Sequence, residues 1–363
     1  MLGVSQRTLL LLLFFGAQIA PALVAHASDT PPAPPQGYEP GRGYQLQGTH
    51  LRLGGYASAK YKRLRDTPTK LEISDLSLFV QWDSQGRWRA FSELEIGESL
   101  IFENDEFSTA DAEFELERAY LDYIYSDRLG FRLGKSLTPI GHWNSIHADP
   151  LIWTVSRPLT TDAGFSHYIT GLILRGRVPA EEGIWKYQLY LDASAQLDPK
   201  PDNPSPTGKN IPGIETGAFE HAQGIHLQYQ PDSEAWQLGV SFSHFEIEDF
   251  SGHKTLFGMD FLWHPEFLEL SGEAIYRKDS KDQGRDEWGA FLQGVAPIVP
   301  RWYAIARYEH FKDLALEGEA HTLSLGLAWR PTPAIILKME SRRGRENELL
   351  APDGIFASTA VLF

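Results

Sequence analysis

Charged residues two positions apart recur along this chain: Arg87 and Arg89, Arg175 and Arg177, Arg307 and Glu309, then Lys338, Glu340 and Arg342. Arg118, Asp122, Arg132, Lys135 and Lys186 sit in stretches of the same kind. A spacing of two puts side chains on one face of a β-strand. Guanidinium, ammonium and carboxylate groups interleaved on a wet face can hold and steer ions without making or breaking a bond. Bond-making chemistry has no comparable support. Gly-x-Ser-x-Gly, His-Glu-x-x-His and the P-loop pattern are absent. Ser, His and Asp are plentiful, but nothing fixes them as a triad. His142, His147 and Asp149 share no diagnostic ligand spacing. No catalytic, cofactor-binding or metal residue is assigned, and the chain reads as a non-enzyme. The net charge of −15 argues against nucleic acid, whose phosphates require a basic face.

The elements that carry these residues have a period of two. In "RWYAIARYEH", Trp302, Ala304, Ala306 and Tyr308 oppose Tyr303, Ile305, Arg307 and Glu309; in "AIILKMESRR", Ile335, Leu337 and Met339 oppose Lys338, Glu340 and Arg342. Sixteen such segments are predicted: 48–62, 70–83, 86–98, 112–126, 129–137, 166–179, 184–196, 219–231, 234–248, 253–264, 266–279, 286–297, 300–312, 318–330, 333–343 and 354–363. Tight polar turns such as "DSQG", "PDSE" and "RPTP" follow the even segments, and longer loops follow the odd ones, the largest near 138–165 and 197–218. Trp82, Trp88, Trp236, Trp263, Trp302 and Trp329 cluster beside the tight turns. This parity and girdle predict a 16-stranded antiparallel transmembrane β-barrel with short periplasmic turns and long extracellular loops. In "AEFELERAYLDY" the charged positions change parity, which requires a bulge near Leu116 to Arg118.

The ends agree with export to a membrane. Residues 1–27 read as a signal peptide, with Arg7, an apolar core from Leu9 to Ala17 and the small-x-small site Ala25-His26-Ala27. Residues 28–47 read as a Pro/Gly-rich periplasmic leader, an extended and poorly ordered tether, and 48–363 as the barrel domain. The chain has no cysteine and therefore no disulfide staple. The last segment ends on Ala357, Thr359, Val361 and Phe363, an apolar face directed at lipid.

"LERAYLDY" and "GFRLGKSLTPIGHWN" (within 115–145) resemble the phosphate-selective porin O/P-type superfamily of bacterial outer-membrane porins, with Arg132-x-Gly134-Lys135 followed by Thr138-Pro139-x-Gly141. The resemblance implies passive diffusion of small hydrophilic solutes or ions through a water-filled barrel. It also implies a homotrimer in contact with lipid bilayer and lipopolysaccharide, and an assembly signal at Phe363 read by the barrel-assembly machinery. Arg87, Arg89, Arg118, Asp122, Arg132, Lys135, Arg175, Arg177, Lys186, Arg307, Glu309, Lys338, Glu340 and Arg342 are the expected pore-lining residues. The loop 138–165 follows the fifth segment, as the constriction loop of general porins does, and holds Pro139, Gly141, Trp143, Asn144 and Trp153. It is too apolar for open water, so it is expected to fold onto the inner wall. Two alternatives stay open: an anion- or phosphate-selective channel, favoured by the arginines, and a non-conducting structural or adhesive barrel. Too few residues precede the first segment for the plug domain of a TonB-type receptor.

Overall fold

The computed structural model describes residues 37–109, 112–192, 218–248, 252–280, 286–312, 319–348 and 350–363. The expected signal peptide, most of the 197–218 loop and the end of the seventh segment lie outside these residues. No described helix is long and apolar enough to cross a membrane; the chain is organised by strands.

The long strands are β1 (Leu51–Leu64), β2 (Lys70–Asp83), β3 (Trp88–Glu103), β4 (Glu113–Ser126), β5 (Leu129–Leu137), β6 (Tyr168–Ala180), β7 (Gly183–Asp192), β8 (Phe219–Pro231), β9 (Trp236–Ile247), β10 (Lys254–Trp263), β11 (Glu269–Asp279), β12 (Asp286–Val299), β13 (Trp302–Lys312), β14 (Glu319–Thr332), β15 (Ile335–Arg345) and β16 (Gly354–Leu362). Each pairs antiparallel with its sequence neighbour. β16 returns to β1, with Gly354 opposite Leu64 and Leu362 opposite Tyr56. The ring therefore has no free edge, which is what a strand-built protein needs where no water can satisfy backbone groups. This is the predicted 16-stranded antiparallel barrel.

Three short strands are additions to it. Glu106–Ser108 folds back on β3. Gly37–Glu39 and Gly43–Gln45 pair with each other, and Tyr44 lies opposite Leu53 of β1. This part of the leader is a hairpin docked on the barrel rather than an extended tether. Gly43 makes the docking possible: its φ is +88°, and a Cβ there would collide with the Leu53 carbonyl oxygen.

The two faces of the wall differ as alternation demands. Leu133 (62% exposed), Met259 (66%) and Met339 (57%) point out with the other apolar residues of their parity. At the short-turn end Trp82, Trp88, Trp263, Trp302 and Trp329 are all exposed, and Trp302 stacks on Trp329 with ring centres 5.7 Å apart. An apolar belt edged by aromatic rings is matched to a bilayer and its interface. The chain terminus is built into the wall: Phe363 and Gly55 exchange two backbone hydrogen bonds of 2.8 Å. A Cβ on Gly55 would meet the Phe363 ring at 2.9 Å and collide with the Ser77 carbonyl oxygen.

The predicted bulge in β4 is present. Arg118 lies opposite Glu93 and Leu116 opposite Leu94, so Glu117 is the extra residue. It lets Glu117 and Arg118 both turn inward.

Candidate pore and its inserted loop

The segment from Thr138 to His167 enters the barrel. Its neck is closed by hydrogen bonds from Thr138 N to the His167 carbonyl (2.8 Å) and from Asn144 Nδ2 to the carbonyls of Thr138 (2.8 Å) and His167 (3.0 Å). Past Pro139 the chain turns at Gly141, whose φ is +67°. A Cβ there would collide with the Glu273 carboxylate at 2.6 Å, so the bend requires glycine. The Thr-Pro-x-Gly sequence thus has a physical role, aiming the loop at the far wall.

That wall presents carboxylates to the loop's amides. Glu273 on β11 accepts from His142 N (2.7 Å) and Trp143 N. Glu340 on β15 accepts from Val155 N (2.9 Å), Ser156 N (3.1 Å) and Ser156 Oγ (2.6 Å). Glu309 on β13 accepts from Leu159 N (2.8 Å), at the start of a one-turn helix, Leu159–Asp162. Glu269 accepts from Trp153 Nε1 (2.9 Å). Cations of the same wall take the carbonyls. Lys338 donates to Asp149 O and Thr154 O at 3.1 Å, Arg307 to Ser156 O at 2.9 Å and Arg277 to Gly164 O at 2.8 Å. The loop's own carboxylate, Asp149, pairs with Lys60 at 3.0 Å. Burial alone would raise the Asp149 carboxyl, but Lys60, Lys338 and Arg157 outweigh it and hold the group well below the usual carboxylate range. Burial pushes the His142 imidazole down to about 4.

Apolar packing completes the insertion. Ile140, Leu159 and Phe165 of the loop share a cluster with Tyr190, Phe245, Ile275 and Phe311 of the inner wall. Trp143 meets the edge of Phe291, and Trp153 lies against Tyr303 with the Arg330 guanidinium 4.5 Å from its ring centre. The apolar residues that are out of place in a solvent loop are the ones buried here.

The insertion divides the expected pore-lining residues into two groups. Arg307, Glu309, Lys338, Glu340 and Arg342 face inward but do not meet water: Arg307 is 0% exposed and Glu340 1%. All but Arg342 are fasteners of the loop; Arg342 instead donates to the Leu350 carbonyl between β15 and β16. The expectation that these five line the pore is corrected on that ground. Lys135 is likewise buried, with its ammonium 4.8 Å from the centre of the Tyr168 ring. Arg87 is also corrected. It lies in the turn before β3, is exposed, and donates to the Tyr123 hydroxyl, which belongs to the outward parity of β4.

The second group stays on the uncovered wall. Arg175 retains 33% side-chain exposure and Arg132 15%. Both bind Asp122, Arg132 through two bonds (2.8 and 3.1 Å) and Arg175 through one (2.7 Å). Arg132 also lies over the Tyr120 ring, 3.6 Å from its centre. Arg118 binds Glu93 above the Phe91 ring, and Arg89 binds Asp83 at 3.0 Å. Arg177 and Lys186 are register partners on β6 and β7, with no carboxylate at ion-pair distance among the described residues. Against Arg89, Arg132, Arg175, Arg177 and Lys186 of β3–β7 stand Asp122 of β4 and Asp83 at the end of β2, so the strand wall there carries an excess of positive charge at its short-turn end. Glu273, Glu269 and Lys60 are functional residues that the pattern of alternation directs inward but does not single out.

No family model matches the chain. An alignment 134 residues long, covering 34% of the chain, is 29% identical to an uncharacterized protein of Aquifex aeolicus (strain VF5). The match spans 30% of that relative's length. Among solved structures the chain is similar to the anion-selective porin from Comamonas acidovorans, with a TM-score of 0.57, 14% identity, and coverage of 86% of this chain and 99% of that one. It is also similar to OmpT, an outer membrane protein of Vibrio cholerae in its trimer form, with a TM-score of 0.56, 8% identity, and coverage of 86% and 99%. These likenesses are likenesses of fold: the chain has the sixteen-stranded barrel fold seen in outer-membrane porins.

Proposed function

We propose that the protein is a porin-type channel of a Gram-negative outer membrane, passing small hydrophilic solutes by diffusion with a preference for anions. One observation carries this reading. The inserted loop covers Glu269, Glu273, Glu309 and Glu340 together with Arg277, Arg307 and Lys338 on β11–β15, and leaves the arginine-bearing short-turn end of β3–β7 uncovered. Charge lining a narrow water path raises the local concentration of the opposite ion. The reading involves no energy source and no reaction. The O/P-type likeness at Arg132–Lys135 and Thr138–Gly141 belongs to it. So does a homotrimer, for which the OmpT trimer form is the fold precedent. Ala57 and Ala59 on β1 adjoin Ala357 and Thr359 on β16, giving an outward patch of small residues that suits a neighbouring barrel. Removal of residues 1–27, recognition of the Phe363 strand by the assembly machinery and contact of the outer rim with lipopolysaccharide complete the reading.

The test is planar-bilayer recording of the full-length protein, folded and inserted, in a salt gradient. Stepwise conductance with a reversal potential on the anion side is expected, and Arg175→Glu moves that potential toward the cation side. Silent membranes, or a wild-type cation preference unmoved by the substitution, overturn it.

A further inference from the structure

Away from the lumen, on the barrel's outer face at the long-loop end, three ligand-bearing side chains converge. His310 of β13 and His321 of β14 are register partners, and Glu319 lies two residues before His321 on the same face. One ligand atom from each falls within 4.8 Å of the others. His310 Nε2 is 2.7 Å from Glu319 Oε2, and His321 Nε2 is 3.9 Å from the same oxygen. A second carboxylate, Glu346 after β15, reaches to 3.9 Å from His321 Nε2.

We propose that His310, Glu319 and His321, with Glu346 as a fourth donor, form a binding site for a divalent transition metal of the zinc class. Ligand atoms about 2.0–2.1 Å from a tetrahedral ion lie about 3.3 Å from one another, and the separations here bracket that value. Two imidazoles with carboxylates select zinc, copper, nickel or cobalt over magnesium and calcium, which prefer all-oxygen shells. The surroundings orient the rings. The Tyr308 hydroxyl is 2.9 Å from His321 Nδ1, which leaves Nε2 as the coordinating nitrogen. His310 is only 7% exposed, is packed against Trp288 with ring centres 4.0 Å apart, and has no hydrogen-bond partner at Nδ1 among the described residues. The polar contact of its ring is the carboxylate that would share the ion. Lys312 stands 3.6 Å from the other Glu319 oxygen and competes only weakly, because it is half in solvent. An ion held here ties β13, β14 and the segment after β15 together at the rim.

The experiment is a zinc titration of the full-length protein in detergent, prepared without a histidine tag, since the chain has 12 histidines of its own. Strand circular dichroism serves as the folding control, and cobalt spectra report the ligand geometry. One zinc per chain is expected, not displaced by excess magnesium, with a tetrahedral cobalt spectrum. His310→Ala combined with His321→Ala abolishes that binding, and Tyr308→Phe weakens it about 10-fold or more, the usual effect of losing an orienting partner. His321→Gln alone serves if the double variant does not fold. Absence of zinc binding in the wild type, or binding unchanged in the histidine variants, overturns the site and leaves the channel reading untouched.

Discussion

Replacing Glu340 with alanine tests whether the inserted loop is held by wall carboxylates. Glu340 accepts from Val155 N, Ser156 N and Ser156 Oγ, all between 2.6 and 3.1 Å. A hydrogen bond to a charged group contributes about 1.5–3 kcal/mol. The three are not additive, because Ser156 Oγ is shared with Arg307 at 2.6 Å. Removing one partner of a buried charge cluster costs about 3–5 kcal/mol, since Arg307 and Arg342 lose a neighbouring anion. The barrel ladder is main-chain and unaffected, so the cost falls on docking of the loop between Trp153 and Pro158. Hydrogen exchange reads this directly at the Val155 and Ser156 amides. Each ~1.4 kcal/mol is tenfold, so their protection is expected to fall by about two orders of magnitude or more, with larger and noisier single-channel conductance. Glu340→Gln keeps one acceptor oxygen and sits in between. Unchanged exchange at both amides together with unchanged conductance in Glu340→Ala would refute the anchoring argument.

Three further outcomes are expected. Gly141→Ala must place a Cβ 2.6 Å from the Glu273 carboxylate at φ +67°, so the neck shifts and exchange at the His142 and Trp143 amides rises, while Gly86→Ala, whose nearest neighbour is 3.5 Å away, leaves them unchanged. Deleting Phe363 removes both backbone bonds to Gly55 at the closing seam and lowers the yield of correctly inserted barrel, read as loss of the heat-modifiable band; equal yield contradicts a role in closure. His142 is held neutral down to about 4, whereas an undocked imidazole titrates near about 6.5. The undocked loop therefore takes up a proton first. Docking is at full strength above about pH 6.5, weakens as pH falls toward about 4 and changes no further through this group below that. Channel noise rising across that window in the wild type and not in His142→Gln is the expected record; a flat profile in both refutes it.

The ring of strands is legible in the sequence because lipid outside and water inside impose one binary pattern on every strand, so each can be read without knowing its neighbours. The bulge in β4 is legible for the same reason: a change of parity inside a strand has no other low-energy solution. Parity states which way a side chain points, not what covers it, and that is why the inward residues of β13 and β15 do not line water. Glu340 meets Val155 across 185 residues, and no local pattern links them. The trace in the sequence is indirect: Ile140, Trp143, Ile152 and Trp153 make the loop too apolar for water. Arg87 departs from expectation because strand alternation does not extend past the turn at Ser84–Gly86. The hairpin at 37–45 is hidden by composition, since the glycines that suggest a tether are the ones its turn and close approach to β1 require. His310 and His321 become partners only once the β13–β14 register is known. The charge an ion meets is not the sum over inward residues, nor the chain's −15, but the part of the wall the loop leaves bare. Docking removes both signs of charge from that path, Glu269, Glu273, Glu309 and Glu340 on loop N–H groups and Arg277, Arg307 and Lys338 on loop carbonyls. A loop that docks on both signs of wall charge leaves the field of the water path to the strands it does not cover, and any change that lifts it should shift selectivity and conductance together.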